Sequence, residues 1–291
     1  MNTAGWYAVI AVGWAVVRAA IARRTERAFE AANPRGPDGY VIGGEPITLR
    51  GSRAGAVLLL HGYNDSPQSM YSVAAALNAR GWTVRVPAFP GHACTLPVFA
   101  ASGSAQWIGA ARDELAALRA TGRPVAVGGL SMGGAIALLL AAEDPGVRAV
   151  VAFAPYLHAS LPVRVMHAIS WIATLGARYV ASGGGRSVRD RVAGERMIAY
   201  GTGTPRLLVQ LQHVVHAARV VLPFVRQPVL YLQSREDNRI PVSAAEEAFA
   251  LIGSADKTLH WTTGNAHVLT VDYGHEELER IAADWLESRL E

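Results

Sequence analysis

The sequence predicts an α/β fold: a mostly parallel central sheet with helices on both faces and a helical cap insertion. Three observations lead there. Short apolar runs that lack polar alternation recur between helical patterns, as expected of strands buried on both faces of a parallel sheet. A Gly-x-Ser-x-Gly turn links one such run to a strong helix former. One long interval, from Ala154 to Pro228, carries helical patterns and no clear strand. The 291 residues, 51% hydrophobic and 17% charged, suffice for one large domain with an insertion and a terminal extension.

The chain opens with an apolar helix over residues 1–32. Met1 to Val17 holds no charge, and Arg18, Arg23, Arg24 and Arg27 follow. A cleaved leader is not expected, because the cations come after the apolar run. Three readings stand: a membrane anchor through residues 1–24, a helix lying on a membrane, or a helix packing through Trp6, Ile10, Trp14, Val17 and Ile21 on the enzyme or a partner. Anchored, the Arg cluster puts the catalytic domain on the cytoplasmic side; otherwise the protein is expected to be cytoplasmic. Residues 33–39, NPRGPDG, read as a linker. The catalytic domain is expected over 40–291, with its cap at about 158–226.

Within that domain Ala56–Leu60 is an unbroken apolar run ending at His61-Gly62, and Ser66-Pro67 opens a helix running to about Arg80. Strands follow at Trp82–Pro87 and Pro124–Gly128, with a helix over Ser104–Thr121 between them. Met132–Glu143 is helical. Arg148–Phe153, Val229–Gln233 and Thr258–Thr262 complete the strands, and a helix over about Glu276–Leu290 closes the chain. In the cap interval, Leu161–Val180 and Pro205–Val225 read as helices joined through Gly183-Gly184-Gly185.

The chemistry sits where strands end. Gly129-Leu130-Ser131-Met132-Gly133 places a serine on a tight turn between strand and helix, with small neighbours that permit close backbone approach. A serine hydroxyl is a weak nucleophile without a base. Among nine histidines, His267 stands out, because Gly264-Asn265-Ala266-His267 follows the last strand; His260 and His275 are its rivals, and His213 and His216 fall on a cap helix. Asp237 follows strand Val229–Gln233 and is the candidate acid that orients the imidazole, with Glu236 its neighbour and rival. The backbone N–H groups of Tyr63, after His61-Gly62, and Met132, after Ser131, are the candidate oxyanion donors.

Composition excludes other classes. One cysteine, Cys94, allows no intrachain disulfide, and no Cys/His spacing suits a metal, so neither cofactor nor metal is expected. The net charge of +4 is carried almost wholly by arginine, Lys257 being the sole lysine, with no basic run interleaved with aromatics; nucleic acid is not expected as a partner.

The stretches AVLLLHGYNDSP, PGH, VAVGGLSMGG, VVAFAP, PVLYLQSREDNRIP and GNAHVLTVDYGHEELERIAADWLESRL together resemble the α/β-hydrolase superfamily, in particular bacterial monoacylglycerol lipases and small carboxylesterases. The resemblance runs from about residue 55 to the C-terminus. It implies hydrolysis of carboxylic esters through an acyl-enzyme, with Ser131 as nucleophile, Asp237 as acid, His267 as base, Tyr63 and Met132 as oxyanion donors, and a small lid shaping an acyl pocket. Thioesterase, amidase or acyltransferase chemistry on the same triad is the alternative, and a non-catalytic lipid- or partner-binding protein the second.

Overall fold

A computed structural model describes residues 3–158, 161, 163–181 and 187–290. Nine strands and ten helices are assigned among them. The strands are β1 (Ile47–Leu49), β2 (Ala56–Leu60), β3 (Thr83–Val86), β4 (Val125–Leu130), β5 (Val147–Phe153), β6 (Val180–Ala181), β7 (Thr202–Gly203), β8 (Val229–Ser234) and β9 (Lys257–Thr262). The helices are α1 (Thr3–Ala32), α2 (Tyr71–Ala79), α3 (Leu96–Ala101), α4 (Ser104–Arg119), α5 (Met132–Glu143), α6 (Val163–Gly176), α7 (Arg191–Arg196), α8 (Pro205–Val221), α9 (Val242–Leu251) and α10 (His275–Leu290).

Seven strands form one sheet in the order β1-β3-β2-β4-β5-β8-β9, parallel except for β1, which pairs antiparallel with β3 at the edge. Every residue of β2, β4 and β8 is buried. Such strands need apolar side chains toward both faces, which is why they lack period-two alternation. The flanking layers come from α2 packed on α10 and from α4 and α8 packed on α5. Parallel neighbours oblige every connection to cross back outside the sheet, so the carboxyl ends of β2, β4, β8 and β9 collect along one edge.

All six expected strands are present to within two residues. β1 went unpredicted: three half-buried edge residues carry too short a pattern to read. The interval between β5 and β8 holds α6 and α8 as expected, but also the unpredicted short helix α7 and a two-strand antiparallel pair, β6 with β7, which corrects the strand-free reading. At two residues per strand it has no periodicity, and Thr202 Oγ1, donating to Val180 O, helps hold it. The Gly183-Gly184-Gly185 link lies outside the described residues. Ser66 precedes a short 3₁₀ turn over Pro67–Met70 as its cap residue, without a side-chain capping bond.

Residues 33–39 form a defined turn, in which Arg35 bridges Val41 and Gly36 N–H donates to Tyr40 O (2.8 Å). The two halves of α1 behave differently. Its C-terminal half docks: Ala22 is buried, Tyr179 donates to Glu26 (2.6 Å), and Phe29 stacks on Tyr200 (5.0 Å). Toward its N-terminus Trp6, Ile10, Trp14, Val17 and Ile21 are largely exposed, with Trp14 meeting α6 through a hydrogen bond to Leu175 O (2.8 Å).

Candidate active site

Ser131 stands between β4 and α5 at φ +54°, in the left-handed region that costs a non-glycine residue about 1–3 kcal/mol. The surroundings hold it there. Its N–H donates to Phe153 O (2.9 Å), and its carbonyl accepts from Ala135 N–H (3.1 Å) and Tyr156 N–H (2.9 Å). The end of β5 and the segment just after it thus hold both ends of the residue. Met132 is the first residue of α5, so its N–H has no intrahelical acceptor.

His267 and Asp237 complete a continuous line. His267 Nδ1 donates to Asp237 Oδ2 (2.8 Å), which leaves Nε2 as acceptor for the Ser131 hydroxyl (2.8 Å). The Asp237 carboxylate is fully engaged: Gln233 Nε2 also donates to Oδ2 (2.7 Å), while the N–H groups of Arg239 (2.7 Å) and Ile240 (2.9 Å) donate to Oδ1. Burial alone would raise its pKa, but the His267 hydrogen bond and charge, with the two N–H donors, outweigh it and hold Asp237 below the usual carboxylate range. An ionised acid behind Nδ1–H keeps the tautomer whose Nε2 can take the Ser131 proton.

His61 fixes the orientation of the Gly62–Tyr63 peptide. Phe89 N–H donates to its Nε2 (3.1 Å), so Nδ1 carries the proton and donates to Gly62 O (2.8 Å). In a trans peptide C=O and N–H point opposite ways, so pinning the Gly62 carbonyl turns the Tyr63 N–H away from His61. A Cβ on Gly62 would lie 3.6 Å from Ser131 Cβ, which places this loop beside the serine. Burial pushes His61 down to about 4, so its neutral tautomer persists at ordinary pH.

The expected rivals are occupied elsewhere. His275 pairs with Glu279 (2.7 Å), His260 lies within β9, and Glu236 pairs with Arg189 and accepts from Gly264 N–H (3.1 Å). Cys94 is half-buried, and burial pushes its thiol pKa up. Among the described residues no group of three or more His, Cys, Asp or Glu could hold a metal.

Two carboxyl groups escaped sequence reasoning. Asp272 is buried and accepts four backbone N–H bonds: from Ala266 (2.7 Å), and from Arg189, Asp190 and Tyr273 (2.9 Å each). It ties the His267 loop to the segment before α7. Asp65 lies under the Gly62 turn, its Oδ2 accepting from Ser69 Oγ (2.6 Å) and weakly from Gly62 N–H (3.4 Å), while Oδ1 has no partner. Nothing in the sequence sets either apart; only the fold reveals that they are buried.

Burial pushes Asp65 up from 3.8 to about 6, against its hydrogen bonds and the nearby His267. A raised acid binds its proton more tightly folded than unfolded. Its stabilising contribution is therefore complete below about pH 4 and is lost as pH rises to about 6. Asp65→Asn is expected to unfold at the same denaturant midpoint as the parent at pH 4, yet to be more stable by about 2–3 kcal/mol at pH 8. Equal stability at both pH values would contradict a strained carboxylate.

Ser131 opens into a cavity of about 220 Å³. Its floor is Gly62, Tyr63, Leu130 and His267. Met197, Ala199, Leu208 and Leu211, from the segment between β5 and β8, supply apolar walls, and Arg239 stands at one side with its Nε donating to Ser187 Oγ (2.7 Å).

Residues 51–273 match the model of a family described as serine aminopeptidase, S33. The chain is 27% identical to a thermostable monoacylglycerol lipase of Bacillus sp. (strain H-257), over 79% of this chain and 89% of that one. It is 26% identical to a carboxylesterase of Bacillus subtilis (strain 168), over 85% and 98%. Among solved structures it is similar to that of a metagenome-derived lipolytic enzyme from work on LipS and LipT, with TM-score 0.77, 27% identity, and 84% and 98% of the two chains covered.

Proposed function

The chain belongs to the serine aminopeptidase S33 family, and on that premise we propose that Ser131, His267 and Asp237 are the nucleophile, base and acid of a lipid-ester hydrolase. The protein is a serine hydrolase of carboxylic esters, akin to monoacylglycerol lipases and carboxylesterases. The carrying observation is the unbroken line Ser131–His267–Asp237 at two spacings of 2.8 Å.

As Ser131 Oγ attacks the ester carbonyl, its proton passes to His267 Nε2 and the imidazolium is stabilised by Asp237. The Tyr63 and Met132 N–H groups receive the oxyanion. Collapse expels the alcohol, which takes the proton from His267. Water then attacks the acyl-enzyme, again giving its proton to His267, and the acid leaves as Ser131 is regenerated.

In this reading the segment 158–226 is a cap, and its walls at Met197, Leu208 and Leu211 hold the acyl chain. In the same reading residues 1–24 anchor the enzyme to a membrane, supported by the mean hydropathy of 1.6 over the most apolar stretch of α1, and the arginines that follow favour the cytoplasmic side for the catalytic domain. The family's description also names aminopeptidases, but a substrate ammonium would need a carboxylate presented to it. The acid among the lining residues, Asp65, is 5% exposed and already engages Ser69.

The test is a substrate panel: p-nitrophenyl esters of increasing acyl length, monoacylglycerols and amino-acid nitroanilides. kcat/KM is expected to rise by up to about fourfold per methylene until the apolar wall is filled. Preference for acetyl esters or for nitroanilides would reject the lipid-ester assignment.

A further inference from the structure

Where α1 meets α6 the chain joins two apolar surfaces. Trp14 Nε1 donates to Leu175 O (2.8 Å), in the last turn of α6, where helix carbonyls have no intrahelical partner. Trp14 lies four residues before Arg18, about 6 Å further along the helix axis. The C-terminal end of α6 therefore stands on the apolar side of the arginine level. Its outer face is apolar as well: Val165, Ile169 and Ile172 recur at helical spacing, with Trp171 and Leu175 alongside, and all five are exposed, Trp171 to 69% and Ile172 to 63%. The opposite side of α6 packs on α8, whose Leu208 and Leu211 wall the cavity above Ser131.

We propose that the outer face of α6 is a second membrane-contact surface, seated in the same anionic bilayer as α1 and holding the substrate cavity one helix away from the lipid. The proposal rests on the anchoring of α1 described above and adds the cap to it. Charge selects the lipid. Residues 1–25 and α6 contain no Asp or Glu, while Arg18, Arg23, Arg24 and Arg164 lie on the two helices. The nearest acids are engaged, Glu26 by Tyr179 and Arg178 and Glu30 by Arg35. A helix pair with cations beside an apolar face is attracted to anionic headgroups while its apolar side chains enter the acyl boundary. In that medium the Trp14–Leu175 bond also removes an unpaired carbonyl, which water would otherwise have to satisfy.

The full chain, in a Cys94→Ala background, is labelled with an environment-sensitive fluorophore at Ile10→Cys or at Ile172→Cys and reconstituted in phosphatidylcholine vesicles with and without phosphatidylglycerol. Spin-labelled lipid is expected to quench both labels, with emission at 172 shifted to the blue and quenching strongest with phosphatidylglycerol. Quenching at 10 with water-like emission at 172 would overturn the α6 contact alone. Absence of quenching at both sites would overturn the anchor and the contact together. A shielded but unquenched label at 172 would assign the face to a second copy and reject the lipid. In parallel, Trp171→Glu/Ile172→Glu is expected to lower kcat/KM for monoacylglycerol embedded in vesicles at least about tenfold, with turnover of a soluble p-nitrophenyl ester unchanged; equal rates on the embedded substrate would count against the proposal.

Discussion

Ser131→Ala is expected to lower kcat for a p-nitrophenyl ester by about 10⁴–10⁶-fold, with KM within a few-fold of the parent. In the proposed mechanism the hydroxyl forms the covalent bond, so its loss removes the acyl-enzyme route and leaves only what the proposed oxyanion donors and binding can do for direct attack by water. Stability should hardly change. Phe153 O, Ala135 N–H and Tyr156 N–H grip the backbone of residue 131 and not its side chain. Ser131→Gly separates chemistry from strain. It should be equally inactive yet more stable than Ser131→Ala by about 1 kcal/mol, because glycine tolerates φ +54° without a steric penalty. Thermal melts and burst kinetics on the three proteins read both effects. Undiminished turnover by Ser131→Ala would remove the nucleophile assignment, and equal melting of the two variants would remove the strain.

The buried strands were legible in the sequence because burial on both faces leaves an unbroken apolar run, as in Ala56–Leu60 and Val125–Val127. The alignment of chemistry was legible for a related reason. Parallel strands send all their carboxyl ends to one edge, so chain order alone places His61-Gly62, Ser131, Asp237 and His267 together. What escaped was whatever depends on contacts distant in sequence. Asp272 becomes a four-bond hub only because the segment 189–190 folds back on the His267 loop. Asp65 becomes a buried acid only beneath the Gly62 turn. β1, β6 and β7 run for two or three residues, too few to carry a period. The N-terminal stripe was visible as helix, but only the fold shows its side chains largely exposed and Trp14 tied to α6.

Gly133→Ala should do more damage than any other single methyl group added near the site. A Cβ there would stand 2.1 Å from Leu60 O and 2.5 Å from His61 O, and both obstacles are backbone. No rotamer change relieves that contact, so α5 must move away from the end of β2. The layer it would leave is packed: a Cβ on Gly129 would stand 2.5 Å from Gly133 C and 2.7 Å from Leu60 O, and α5 is buried from Met132 to Ala141. Overpacking against fixed backbone places the loss of stability at about 3–5 kcal/mol. The folded fraction should fail for a second reason. The displaced carbonyls immediately precede the Gly62–Tyr63 peptide, whose orientation depends on the His61–Gly62 bond. Misplacing one oxyanion donor lowers kcat by about 10²–10³-fold while KM changes little. Gly109→Ala is the control, since its Cβ would meet nothing within 4 Å on helix α4. That variant should keep full activity and gain up to about 1 kcal/mol. If Gly133→Ala melted and turned over like Gly109→Ala, the close approach of α5 to β2 could not be what fixes the oxyanion donors, and the account of the site built on it would fail.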